Sequence, residues 1–108
     1  MEGFQKVCRI SDLENNCGKR FIVDDVDIAV FRLDDKVYAL GNICPHQHSP
    51  LIYDGFIDDG CVICPAHGWM FDIKTGKTPS GQRGLNYFEV RIDENNVFVK
   101  VYKKILNW

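Results

Sequence analysis

Two short stretches of this 108-residue chain place a thiol beside an imidazole: Cys44-Pro45-His46 and Cys64-Pro65-Ala66-His67. Seventeen residues separate His46 from Cys64, and all three histidines lie within residues 42–72 together with three of the five cysteines. Loops that close on a common ion from two sides are the usual way to build a four-ligand cage. A single buried Cys commonly acts as a small hydrophobe. Two Cys–His pairs, each flanked by Pro and Gly, argue for ligation instead.

Two metal readings follow from this donor set. Two Cys and two His can hold a tetrahedral structural zinc, although C-x-H is a poor half-site beside the usual C-x-x-C and H-x-x-x-H pairs. Alternatively, the two Cys hold one iron of a 2Fe–2S cluster and the two His hold the other. Mixed pairs suit that cluster, because each loop can then give one ligand to each iron.

The elements that must position these loops read as short strands. "KRFIVDD" (19–25) and "VDIAVFRL" (26–33) are rich in β-branched and aromatic residues, and "DDK" (34–36) turns the chain into "VYALGN" (37–42). At the other end "NYFEVRI" (86–92), the turn "DENN" (93–96) and "VFVKVYKK" (97–104) predict a second hairpin, with Val97, Val99 and Val101 on one face. No apolar run has helical spacing. "SDLENN" (11–16) reads either as a polar turn or as a short helix in which Ser11 and Glu14 form a capping box. Between the hairpins, residues 43–84 hold all four prolines and six of the nine glycines, with short strand-like pieces at 55–64 and 69–77. The expected organisation is one domain over 1–108: a β base from about 1–42 and 85–108, and a loop-rich insert from about 43–84. Binding residues concentrate on loops carried by a rigid scaffold.

Composition narrows the function. The chain is 45% hydrophobic and 26% charged, with 13 Lys and Arg against 15 Asp and Glu, for a net charge of −2. That balance lacks the basic footprint of a nucleic-acid binder and suits a protein partner. No segment nears the roughly 18 apolar residues of a membrane span, and the N-terminus is not built as a signal peptide. Five unevenly spread cysteines do not read as a secreted disulfide framework, which points to the cytoplasm.

C-x-H-x₁₇-C-x-x-H resembles the Rieske signature, and the likeness extends beyond the four candidate ligands. "CPHQHSPL" is similar to the first cluster loop of that family, and "CPAHGWMFDIKTGK" to the second loop with its F-D-x-x-T-G turn. "TPSGQRGLNYFEVRI" is similar to the proline loop that covers the cluster before the chain returns to the base. The resemblance spans about residues 19–102. It implies an all-β fold, a Rieske-like antiparallel base with an inserted cluster-binding subdomain, and one 2Fe–2S cluster per chain. Cys44 and Cys64 would ligate the inner iron, and His46 and His67 the outer. Two Fe(III), two sulfides and two thiolates sum to zero with neutral imidazoles, so reduction leaves one negative charge and is easier than in an all-cysteine cluster.

Departures from the family pattern indicate the subtype. High-potential respiratory members bridge the two loops with extra cysteines, at positions that here look like Ser49 and Ala66, so the resemblance implies no such bridge in this chain. Those members also carry Ser and Tyr hydroxyls toward the cluster sulfurs, at positions that here are Trp69 and Phe71. Such donors stabilise the more negative reduced cluster, so their loss implies a potential near about −150 mV rather than +300 mV. A Rieske oxygenase needs a second iron held by two His and a carboxylate. Only His48 remains for that, so the chain is read as an electron carrier with no catalysis of its own.

The resemblance thus implies a soluble, monomeric ferredoxin whose partners are a reductase and a terminal oxygenase or reductase. The alternative is a small subunit of an assimilatory nitrite reductase. Pro45, Pro65, Gly68, Trp69 and Pro79 are expected to shape and shield the site, with Pro79 in the covering loop. Docking is expected at the tip formed by His46, His48, Ser49, Pro50, Gly68 and Trp69. His48, where the family most often has Gly, is either a partner contact or a solvated loop residue. Cys61 is expected to pack in the core, facing away from Cys64, and Cys8 and Cys17 to be structural. Asp58 and Asp59 read as a hairpin turn.

Overall fold

The computed structural model describes residues 3–44, 49–65, 68–79 and 84–101. Six strands form one antiparallel sheet: β1 (Gln5–Arg9), β2 (Cys17–Val23), β3 (Val26–Leu33), β4 (Lys36–Gly41), β8 (Tyr87–Asp93) and β9 (Asn96–Lys100), in the order β1-β9-β8-β4-β3-β2. A second sheet holds β5 (Phe56–Asp58), β6 (Cys61–Ile63) and β7 (Met70–Asp72) in sequence order. Short 3₁₀ turns, η1 (Ile10–Asp12) and η2 (Ile52–Asp54), complete the described elements.

Both predicted hairpins are present, with tighter turns than the sequence suggests. Val23 pairs with Val26, so Asp24 and Asp25 are the β2–β3 turn rather than the end of a strand, and both have positive φ. Such values match the primed turns whose twist suits a two-residue hairpin. Leu33 pairs with Lys36 and Asp93 with Asn96, which shortens the other two turns to Asp34-Asp35 and Glu94-Asn95. The polar stretch at 11–16 is not a Ser11–Glu14 capped helix. The single turn η1 starts at Ile10, and the Asp12 carboxylate accepts the Arg9 N–H at 3.0 Å. Strand β1 carries too little alternation to be seen locally, and exists by pairing with β9.

The run Ile28-Ala29-Val30-Phe31 is buried throughout because β3 is covered on both faces. Ile28 and Val30 join Val37, Ala39, Phe88, Val97 and Val99 in the core of the base. Ala29 and Phe31 point the other way, into a second apolar core shared with Leu40, Ile52, Val62, Phe71, Ile73 and Leu85. That second core fastens the small sheet to the base. Strands of three residues could not stand alone in water.

Candidate metal centre

Cys44 and Cys64 both end in the second core, each only 1% exposed. Their loops close alike. The Cys44 N–H donates to the Ser49 carbonyl at 2.9 Å, and the Cys64 N–H donates to the Trp69 carbonyl at 2.8 Å. Each cysteine is thus tied to the residue five positions on, although the sequence spacings C-x-H and C-x-x-H differ. The second loop has an additional bond, from the Gly68 N–H to the Cys64 carbonyl at 2.9 Å, made with Gly68 at φ +75°. Pro45, His46, His48, Ala66 and His67 lie outside the described residues, and no placement is given for them.

The first loop is held from outside by Asn42, the one polar side chain fully buried among the described residues. Its amide donates to Asp27 Oδ1 at 3.0 Å and to the Pro50 carbonyl at 3.1 Å, and its Oδ1 accepts the Tyr53 N–H at 2.8 Å. The Asn42 N–H also reaches the Asp27 carbonyl at 3.1 Å. Arg20 secures the far end, giving Asp27 two bonds of 3.0 and 2.7 Å. Asn42 thereby joins β3 to both ends of the loop around Cys44. Sequence reasoning missed this residue; its position two residues before Cys44, just after an apolar strand, was the available signal.

Phe71 is fully buried in the core that holds the two thiols, and the half-buried Trp69 lies against it with ring centroids 6.3 Å apart. After β7, the F-D-x-x-T-G segment forms its turn through Asp72, whose Oδ1 accepts the Lys74 N–H at 2.8 Å and whose carbonyl accepts the Gly76 N–H at 2.7 Å. Gly76, at φ +77°, then accepts the Leu85 N–H at 2.7 Å. A methyl group at Gly76 would overlap Leu85, and one at Gly84 would overlap Gly76. These glycines let the two ends of the segment containing Pro79 meet. Pro65, Gly68 and Pro79 are exposed, while Ser49 and Pro50 are half-buried.

Cys61 departs from expectation. It does not pack in the core but sits half-buried on the outer face of β6, because Val62 takes the inward position. Burial, then Asp72, Asp59 and Asp58, pushes its thiol pKa above the ordinary value. Cys8 is buried in the base, as expected, and Cys17 is exposed. Asp59 and Gly60 both have positive φ and make the β5–β6 turn, whereas Asp58 is within β5 and pairs with Cys61.

Two thiolates in an apolar core would be costly without a cation, since buried charge must be paired or coordinated. Soft thiolate donors suit zinc or iron–sulfur clusters. The described residues therefore fit a metal group seated between the two loops, carried on an all-β base.

Residues 3–89 match the Rieske [2Fe-2S] domain, and the chain belongs to that family. Its cofactor is accordingly a Rieske-type 2Fe–2S cluster, which decides between iron and zinc. The anthranilate 1,2-dioxygenase ferredoxin subunit of Burkholderia cepacia is 38% identical over 76 residues, covering 68% of this chain and 69% of that protein. Human (Homo sapiens) apoptosis-inducing factor 3 is 33% identical over 102 residues, covering 93% of this chain, which spans only 17% of that protein's length. A chain in the complex of reduced oxygenase and oxidized ferredoxin in carbazole 1,9a-dioxygenase superposes with a TM-score of 0.81 at 31% identity, covering 98% of this chain and all of that one. The fold is also that of a nitrite reductase small subunit from Mycobacterium tuberculosis, with a TM-score of 0.86 at 23% identity over 94% of this chain and 96% of that one. Among the described residues, no helix is long and apolar enough to cross a membrane.

Proposed function

We propose that this protein is a low-potential electron carrier in which Cys44 and Cys64 hold one iron and His46 and His67 the other. The observation that carries the reading is the pair of buried thiols, each at the head of a loop closed to the fifth residue on, within one apolar core. The 2Fe–2S group supplies one-electron transfer when bound. The chain's own residues hold the ligands still and exclude water: Asn42 ties the first loop to β3, Gly68 turns the second, and Phe71 with Trp69 walls the core. A rigid, dry site keeps the reorganisation that accompanies electron transfer small.

Its partners on this reading are a reductase that supplies electrons and a terminal oxygenase that consumes them, since ferredoxin components of two such systems align with most of the chain. The protein works as a monomer in the cytoplasm, as one domain, and catalyses nothing alone. The nitrite reductase likeness, one of fold, supports a second reading as the small subunit of a larger reductase. Stable co-elution with a large flavin- or haem-bearing protein would select that reading over the free carrier.

The test is an absorption and EPR spectrum of protein purified with its cofactor intact. Red-brown protein is expected, giving on reduction the low average g of a mixed His–Cys cluster and a midpoint near about −150 mV. Colourless protein with one zinc per chain would overturn the assignment.

A further inference from the structure

The outer face of the small sheet takes no part in holding the thiols. Strand alternation puts Ile57, Val62 and Phe71 against the core and leaves their neighbours outside. Register then lines up two cross-strand rows on the outer face: Phe56–Ile63–Met70 and Asp58–Cys61–Asp72. Phe56 is 69% exposed and Met70 39% exposed. Two exposed apolar side chains with the half-buried Ile63 between them, edged by polar groups, have the character of an interaction surface.

The neighbouring row is acidic. The raised pKa of Cys61 reflects Asp72, Asp59 and Asp58 around its thiol, in addition to burial. Lys74 and Lys77 follow on the turn after β7, yet among the described residues neither makes an ion pair with Asp58, Asp59 or Asp72. Three carboxylates against two lysines leave this face with an acidic excess. They oppose a second copy of the chain, which would set acid against acid, and favour a partner of positive charge. Ile63 is bonded directly to Cys64, so a protein seated here lies one residue from a thiol of the metal centre.

We propose that this face docks a basic redox protein with an apolar centre. Phe56, Ile63 and Met70 make the apolar contact, and Asp58 and Asp72 meet lysines or arginines around it. The surface offers a route for electrons through Cys64, separate from the expected histidine ligands. The proposal rests on Cys64 being an iron ligand.

The probe is ferric mitochondrial cytochrome c, a basic one-electron acceptor, mixed with the reduced holoprotein in a stopped-flow instrument. The protein loses one electron and the ferric haem gains it. Asp58→Lys and Phe56→Ser alter exposed side chains only, and Glu89→Lys on β8 makes the same charge change on the base. At low salt, Asp58→Lys and Phe56→Ser should each slow the second-order rate by roughly three- to tenfold, and Glu89→Lys by less than about twofold. Oxidation by ferricyanide, an anion, should not slow in either face variant. Rates for Asp58→Lys and Phe56→Ser within about twofold of wild type would overturn the proposal, as would Glu89→Lys slowing as much as Asp58→Lys. A dimer that Phe56→Ser dissociates in sedimentation would assign the face to a second copy and overturn it too. Wild-type protein without a reducible cluster would sink the ligand assignment itself, a failure separate from that of the docking face.

Discussion

The two cysteine loops reach one geometry by different means. Both tie the cysteine N–H to a carbonyl five residues on, at 2.9 Å in the first and 2.8 Å in the second. The first loop depends on a neighbour: Asn42 and Asp27 reach in from the base and fix Pro50 and Tyr53. The second is largely self-sufficient. It is the connection between two paired strands, β6 and β7, and it needs only a left-handed Gly68 to complete its inner bond. A loop between paired strands inherits its closure from their register. A loop between a strand and a 3₁₀ turn has no such register and must borrow a buried side chain.

That difference can be broken from either side. Asn42→Leu keeps the branched shape but leaves the Tyr53 N–H and the Pro50 carbonyl unpaired in a part-buried place, costing about 1–3 kcal/mol for each. Chemical denaturation should show that loss, and the visible cluster absorbance should decay faster on standing. Unchanged denaturation and decay would mean the first loop does not lean on the base. Gly68→Ala should have a smaller effect, about 1–2 kcal/mol, because a methyl there meets no atom of the described residues within 4 Å and the positive φ is what is strained. A loss larger than that of Asn42→Leu would reverse the comparison.

A further effect belongs to Cys8, which lies in the base's own core rather than in the core that holds the two thiols. Burial, with Asp12 opposing and Lys19 favouring the thiolate, pushes Cys8 from 9.0 up to about 11. Between those values the unfolded chain releases a proton that the folded chain keeps, so stability falls as pH rises from 9 toward 11. Below 9 this contribution does not change with pH. Denaturation midpoints across that range should slope downward in the wild type and flatten in Cys8→Ala. Equal slopes in the two proteins would remove Cys8 as the cause.

Much of the base was legible because its signals are local. Val97 and Val99 alternate with half-buried or exposed partners, and both are buried on one face. The pairs of Cys and His stood out in sequence for the same reason, as did the family likeness they carry. Cys61 was misjudged because alternation says that neighbours point opposite ways without saying which way is inward. Val62 took the inward position, opposite Phe71 on the ladder and in the same core. Strand β1 was missed since its pairing partner lies some 90 positions away, and Asn42 since its place between an apolar strand and Cys44 gains meaning only once its burial is known.

By itself the sequence determined the candidate donor set, the two hairpins, a turn at Asp59 and the family, because each depends on residue type at short spacing. Only the tertiary structure decided that β3 is buried on both faces, that both thiols share one core, and that Asn42 links that core's first loop to Asp27. It also decided that Phe56, Ile63 and Met70 form a row beside Asp58 and Asp72. These facts follow from strand register and from the packing of one sheet on another, which bring together residues that no local pattern relates.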